Sequence, residues 1–178
     1  MPDLATRAVF ISYASEDAVM ARRICSKMQA AGVEVWFDES ELGGGDAWDA
    51  KIRARIRDCA LFLAVISANT EMRREGYFRL EWKLAEDRSH LMAKGTPFIL
   101  PVVIDVTSER GALVPDAFLA VQWVRVLGRD VPMAFAERVR SLLSPEVGGE
   151  KRQSLASGAA ADETPPSSAA GKRAFLSP

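Results

Sequence analysis

The run Val9-Phe10-Ile11-Ser12-Tyr13-Ala14-Ser15-Glu16-Asp17 concentrates chemistry at one spot, because three β-formers give way at once to hydroxyls and acids. A buried parallel strand has this look where its carboxyl end opens onto a crevice, and in open α/β sheets ligands sit outside such ends. Ser12 and Tyr13 are thus placed to meet a ligand. Glu16 and Asp17 put two acids where a phosphate would otherwise bind, which argues against a flavin-phosphate loop. The chain lacks the acidic cluster and the lysine near the fifth strand that a phosphoacceptor site needs. His90 is the only histidine, too isolated for a Ser/His or Cys/His device. Cys25 and Cys59 have no CxxC partner, so two packed thiols in a reducing cytoplasm are expected, with no metal site.

The elements that must position these groups alternate between strand and helix. Strands are expected at 7–13, 33–37, 60–66, 97–104 and 121–126. Helices are expected at 16–31, capped by Ser15; at 47–58, capped by Asp46 and striped by Trp48, Ile52 and Ile56; at 77–92; and at 132–143. Glycine-rich loop 38–46 and loop 67–76 separate them. The pattern implies an α/β fold: a flavodoxin-like three-layer sandwich whose five-stranded parallel sheet has the order 2-1-3-4-5, with helices on both faces. The switch point lies between the first and third strands. Residues 7–144 form the expected domain. From 145 to 178, Gly, Pro, Ser and Ala bring too little apolar surface to offset chain entropy, so a disordered tail or linker is expected.

Bulk composition excludes several classes. Hydrophobic residues make up 48% of the 178, enough for a core. Lys plus Arg number 23 against 24 Asp plus Glu, a balance unsuited to a nucleic-acid surface. No apolar run approaches the ~20 residues that span a bilayer. The amino terminus lacks a secretory signature.

Three segments in order carry a family resemblance. Phe10-Ile11-Ser12-Tyr13 with Asp17 resembles the first signature box of TIR (Toll/interleukin-1 receptor) domains of bacterial type. Val33-x-Val35-Trp36-Phe37-Asp38, then Glu41-Leu42-Gly43-Gly44-Gly45-Asp46-x-Trp48, is similar to their second strand and BB loop. Ile66-Ser67-x-Asn69 followed by Tyr77-x-x-x-Glu81-Trp82-x-x-Ala85 resembles the segment where enzymatic members carry an aromatic-xxx-Glu motif. The resemblance implies an enzyme that cleaves the nicotinamide–ribose bond of NAD, with NAD as substrate and no further cofactor, in bacterial defence or signalling. The alternative it allows is a non-enzymatic module that binds other TIR domains, an adaptor or host-mimicking effector.

In the enzymes one glutamate does the chemistry, and Trp82-x-x-x-Glu86 offers a second match. On a helical projection with Leu80 at zero, Leu91, Leu84 and Tyr77 fall at about 20°, 40° and 60°, the expected core stripe. Glu81 falls at about 100°, on its margin, and Glu86 at about 240° among Arg79, Lys83 and His90 on the expected solvent face. Asp87 lands near the stripe. Glu81 is therefore the expected catalytic residue, with Arg88 a possible neighbour seven positions on. Nicotinamide leaves from a ring nitrogen that is already cationic, so no acid is needed, and one carboxylate near the ribose suffices to stabilise the developing charge. Water attack would give ADP-ribose; attack by a group of the adenine or ribose would give a cyclic product.

The resemblance further assigns substrate contacts to Ser12, Tyr13, Ser15, Asp38, Trp48 and Tyr77. Trp48 also fits a core anchor. Tyr77 stands where relatives often have tryptophan. Ala14 and Ser15 replace arginines that relatives often carry after the box-one tyrosine, so phosphate contacts are expected from elsewhere. The 38–46 loop is expected to mediate TIR–TIR self-association.

Overall fold

The computed structural model describes residues 7–37 and 45–144; the expected tail at 145–178 and most of the 38–46 loop, Asp38 included, lie outside the described residues. The sheet pairs β1 (Val9–Ser12), β2 (Val35–Trp36), β3 (Leu61–Ile66), β4 (Ile99–Val103) and β5 (Val124–Arg125). All pairings are parallel and the order is β2-β1-β3-β4-β5, as the sequence leads one to expect. β1, β3 and β4 are buried along their whole length, which is why they read as apolar runs without alternation. Pro101 is tolerated inside β4 because short β5 pairs only with Val102 and Val103, leaving Pro101 past the last rung on that side.

Helices α1 (Ala18–Ala30) and α6 (Met133–Leu143) cover one face, packing Ile24, Met28, Phe135 and Val139 on Val9, Ile11 and Tyr13. Helices α2 (Asp46–Asp58), α4 (Tyr77–Ser89) and α5 (Asp116–Leu119) cover the other, packing Ile52, Ile56, Trp82 and Phe118 on Phe10, Phe62 and Ile99. Cys25 and Cys59 are buried thiols outside any disulfide, and burial pushes the Cys59 thiol up to about 11. Among the described residues no helix is long and apolar enough to cross a membrane, and no cluster of three or more His, Cys, Asp or Glu could hold a metal ion.

Four expectations need correction. Asp46 does not cap α2; it is the first helical residue, and Gly45 holds the cap position with no side-chain cap bond. Loop 67–76 contains α3 (Ala68–Met72), opened by a reciprocal cap in which Ser67 Oγ accepts from the Asn69 and Thr70 amides and Thr70 Oγ1 accepts from the Ser67 amide. Ser15 does not cap α1; it begins a 3-10 turn, Ser15–Asp17, and Asp17 holds the cap position without capping because its carboxylate is bonded elsewhere. The buried face of α4 is Phe78, Glu81, Trp82 and Ala85, whereas Leu80 and Leu84 are half-buried and Leu91 is 88% exposed beyond the helix end. The helix is rotated from its leucine stripe because two aromatic rings remove more apolar surface from water than the leucines would. Asp87 faces solvent and pairs with Lys83.

Candidate active site

Ser12, the last residue of β1, lies beside Ala64 of β3 and is fully buried. Its Oγ donates a hydrogen bond to Glu81 Oε2. Glu81 is only 8% exposed, since rotation of α4 brings it onto the packed face beside Phe78 and Trp82. A carboxylate in that position is costly to desolvate unless donors meet it, and the Ser12 hydroxyl is one. The pair sits where the order of the sheet reverses, between β1 and β3, the place where open α/β sheets bind ligands. A buried acid at such a crevice is suited to stabilising positive charge with water held away.

An aromatic corner stands at the outer side of this pair. Tyr77, one helical turn before Glu81, meets Trp48 of α2 edge to face, with centroids 4.2 Å apart and planes at 90°. Trp48 is half-buried and packs on the Ile52 and Ile56 side of the core; its indole N–H has no acceptor among the described residues. Tyr77 is 37% exposed. Along α4 the more exposed ring thus precedes the buried acid by one turn.

The strand ends around the pair are tied together by buried polar contacts. Asp17 accepts from Ser67 Oγ at 2.5 Å and from Asn69 Nδ2 at 2.7 Å, joining the segments after β1 and β3. Burial raises its pKa, and these two donors only partly oppose the rise. Asp105, after β4, accepts from the Ala68 amide at 2.7 Å and the Thr107 amide at 2.9 Å. Burial would raise it too, but the donors outweigh burial and its pKa is lowered.

A family model described as TIR domain matches residues 9–143. The chain belongs to the TIR domain family. It is 29% identical over 107 residues to the NAD(+) hydrolase PdTIR of Paracoccus denitrificans (strain Pd 1222), covering 58% of this chain and 33% of that protein. It is 29% identical over 102 residues to the 2' cyclic ADP-D-ribose synthase AbTIR of Acinetobacter baumannii (strain 1295743), covering 57% and 36%. The chain therefore spans about a third of the length of these curated relatives. Among solved structures, a metazoan TIR-STING receptor from C. gigas in complex with 2',3'-cGAMP superposes with a TM-score of 0.59 at 18% identity, over 76% of this chain and 39% of that one. That likeness is one of fold.

The TIR domain gathers some of the residues singled out from sequence and separates others. Ser12, Glu81, Trp48 and Tyr77 lie on the α2–α4 side. Tyr13 points to the opposite face, stacked on Phe37 at 5.1 Å. Ser15 is exposed; its Oγ donates to Glu16 and accepts from Arg73. Asp38 lies outside the described residues. Glu86 is not a free surface acid: it is half-buried and accepts from the Ala117 amide at 3.2 Å, bracing the start of α5. Arg79, expected on the solvent face, lies 5.1 Å over Trp82 and 4.8 Å over Phe78 and donates to the carbonyls of Thr70, Arg73 and Leu113. Arg88 donates to the carbonyls of Ile56 and Cys59, holding α4 to the end of α2. Neither arginine carries a spacing that would have revealed these partners.

Proposed function

We propose that this TIR domain is an NAD⁺ glycohydrolase in which Glu81 stabilises the ribose as nicotinamide departs. The observation that supports it most is Glu81 itself: a carboxylate turned into the packed face of α4 and hydrogen-bonded by Ser12 at the sheet's switch point. The names of two similar proteins, an NAD(+) hydrolase and a 2' cyclic ADP-D-ribose synthase, favour the same bond.

The chemistry runs through few groups. The C1′–nitrogen bond breaks, its electron pair goes to the pyridinium nitrogen, and neutral nicotinamide leaves without a proton. Positive charge develops on C1′ and the ring oxygen, and the Glu81 carboxylate offsets it. Ser12 holds that carboxylate in place. Tyr77 and Trp48 offer the aromatic surface for the departing ring. Water then attacks C1′ and gives up a proton to yield ADP-ribose, or a group of the adenine or ribose of the same molecule attacks and gives up its proton to close a cyclic product. NAD enters as substrate and the scheme requires no other cofactor.

The reading extends to a bacterial cytoplasmic protein of defence or signalling that works through TIR–TIR contacts involving the 38–46 loop. The deciding experiment incubates concentrated protein with NAD and follows free nicotinamide, with Glu81→Ala as control. Release by the native chain that is lost in the variant supports the proposal; release unchanged in the variant removes Glu81 from it.

A further inference from the structure

A cation precedes α4, the helix that carries Glu81, and lies against its first turn. Arg73, just after α3, donates from Nη1 to Ser15 Oγ at 3.0 Å and pairs with Glu16 at 3.2 Å. Its guanidinium carbon lies 5.8 Å from the centre of the Phe78 ring. A Cβ built at Gly76 would come within 3.2 Å of Arg73 Nη2 and 2.9 Å of the Phe78 ring, and Gly76 has a φ of 153°. Glycine therefore lets the guanidinium lie against the first turn of α4. The Arg73 carbonyl accepts from Arg79 Nε at 3.2 Å and Nη2 at 2.9 Å, which fixes the backbone that carries it. Arg79 itself is committed to carbonyls. The Arg73 side chain, by contrast, is 35% exposed, and its carboxylate partner Glu16 is 47% exposed.

We propose that Arg73 binds the diphosphate of the dinucleotide, with Glu16 as the anion that the substrate displaces; this rests on the NAD reading above. Glu81 lies five steps along the chain from Gly76, the N-cap of α4, a rise of about 7.5 Å. One ribose and its 5′-methylene span a comparable length between C1′ of NAD and the first phosphate. With C1′ at Glu81, the diphosphate falls toward the first turn of α4, against which the guanidinium lies. A planar fork of donors matches two phosphate oxygens, and an exposed ion pair such as Arg73–Glu16 is weak enough to exchange.

The test compares NAD with nicotinamide riboside, which has the same scissile bond and no diphosphate, using the full chain. Arg73→Gln should lower the ratio of kcat/KM for NAD to that for nicotinamide riboside about tenfold, through KM for NAD. Arg73→Lys should recover part of it, Glu16→Gln should raise it severalfold, and Arg74→Gln, at the neighbouring arginine, should leave it in place. A ratio unchanged in Arg73→Gln, or equal losses on both substrates, would overturn the assignment while leaving the Glu81 chemistry intact. Should the native chain release nicotinamide from neither substrate, the NAD reading falls by that result. Calorimetry with ADP-ribose then decides the Arg73 site: binding weakened about tenfold by Arg73→Gln supports it, and equal binding or none overturns it.

Discussion

Ser12 and Glu81 are 69 residues apart, one closing β1 and the other in the second turn of α4, yet the serine hydroxyl bonds the carboxylate. With Ser12 fully buried, its hydroxyl faces Glu81 and no solvent. Ser12 thus serves as a positioning residue. It holds the acid at one place beside the end of β1, whereas an unanchored glutamate would lose rotamer freedom each time substrate bound.

Ser12→Ala should therefore lower kcat for nicotinamide release about 10- to 100-fold, the size expected when a hydrogen bond to a charged group is lost, while KM moves little. Steady-state assay of nicotinamide across NAD concentrations checks this. A rise in KM with kcat unchanged would mean that Ser12 contacts substrate instead.

The sheet was legible in the sequence because a parallel strand covered on both faces must be apolar throughout, as Leu61-Phe62-Leu63-Ala64-Val65-Ile66 is. The orientation of α4 was not. A hydropathy stripe drawn through Leu80, Leu84 and Leu91 misses the true face because Glu81 interrupts it, so the residue that makes the site also hides the helix's core. Helices α3 and α5, of 5 and 4 residues, are too short to show a period. The polar ties of Asp17 to Ser67 and Asn69, and of Arg73 to Ser15, join positions 50 to 58 residues apart. No local spacing encodes such pairs; they emerge only when adjacent strand ends are brought side by side.

Arg79 is the brace of this region, joining the carbonyls of Thr70, Arg73 and Leu113 while lying over two aromatic rings. Arg79→Ala should destabilise the domain by about 2–3 kcal/mol, combining lost charge-assisted bonds with lost cation–π contact. Arg79→Lys should recover less than half, because an ammonium cannot reach several carbonyls from one plane. Urea unfolding would show a lower midpoint with an unchanged slope. An unaltered midpoint in Arg79→Ala would refute the brace.

Asp17 makes stability depend on pH in a defined direction. Burial raises its folded-state pKa above the ordinary 3.8, so between those values the folded protein binds more protons than the unfolded chain. Its favourable contribution is complete below 3.8 and is lost as pH rises through the folded value. Asp17→Asn keeps one carbonyl oxygen, so it retains an acceptor for one of the two donors, which meet Oδ2 and Oδ1 separately, and it removes this titration. The stability of the variant relative to the native protein should therefore rise with pH across that window and then level. Asp105, lowered in the fold, acts oppositely in both proteins, and its charge is one of the lesser causes that raise Asp17. Urea melts at a series of acidic pH values measure the difference, and a decline with rising pH would contradict the assignment.

Glu81 and Glu86 share a helix and an aromatic four residues before each, but their surroundings set them different tasks. Glu81 faces Ser12 at the strand mouth, whereas Glu86 accepts from the Ala117 amide and so secures α5. Glu81→Gln keeps the shape and an acceptor for Ser12 while removing the charge, so nicotinamide release should fall about 10²- to 10³-fold with no loss of stability. Glu86→Ala should release nicotinamide within about twofold of the native rate and lose about 1 kcal/mol of stability, because a helix-start amide forfeits its acceptor. Paired assays of nicotinamide and of urea midpoint separate the two. Catalytic loss in Glu86→Ala together with full activity in Glu81→Gln would transfer the chemistry to the other side of the helix, where the Ala117 contact would have to open before any ribose could approach.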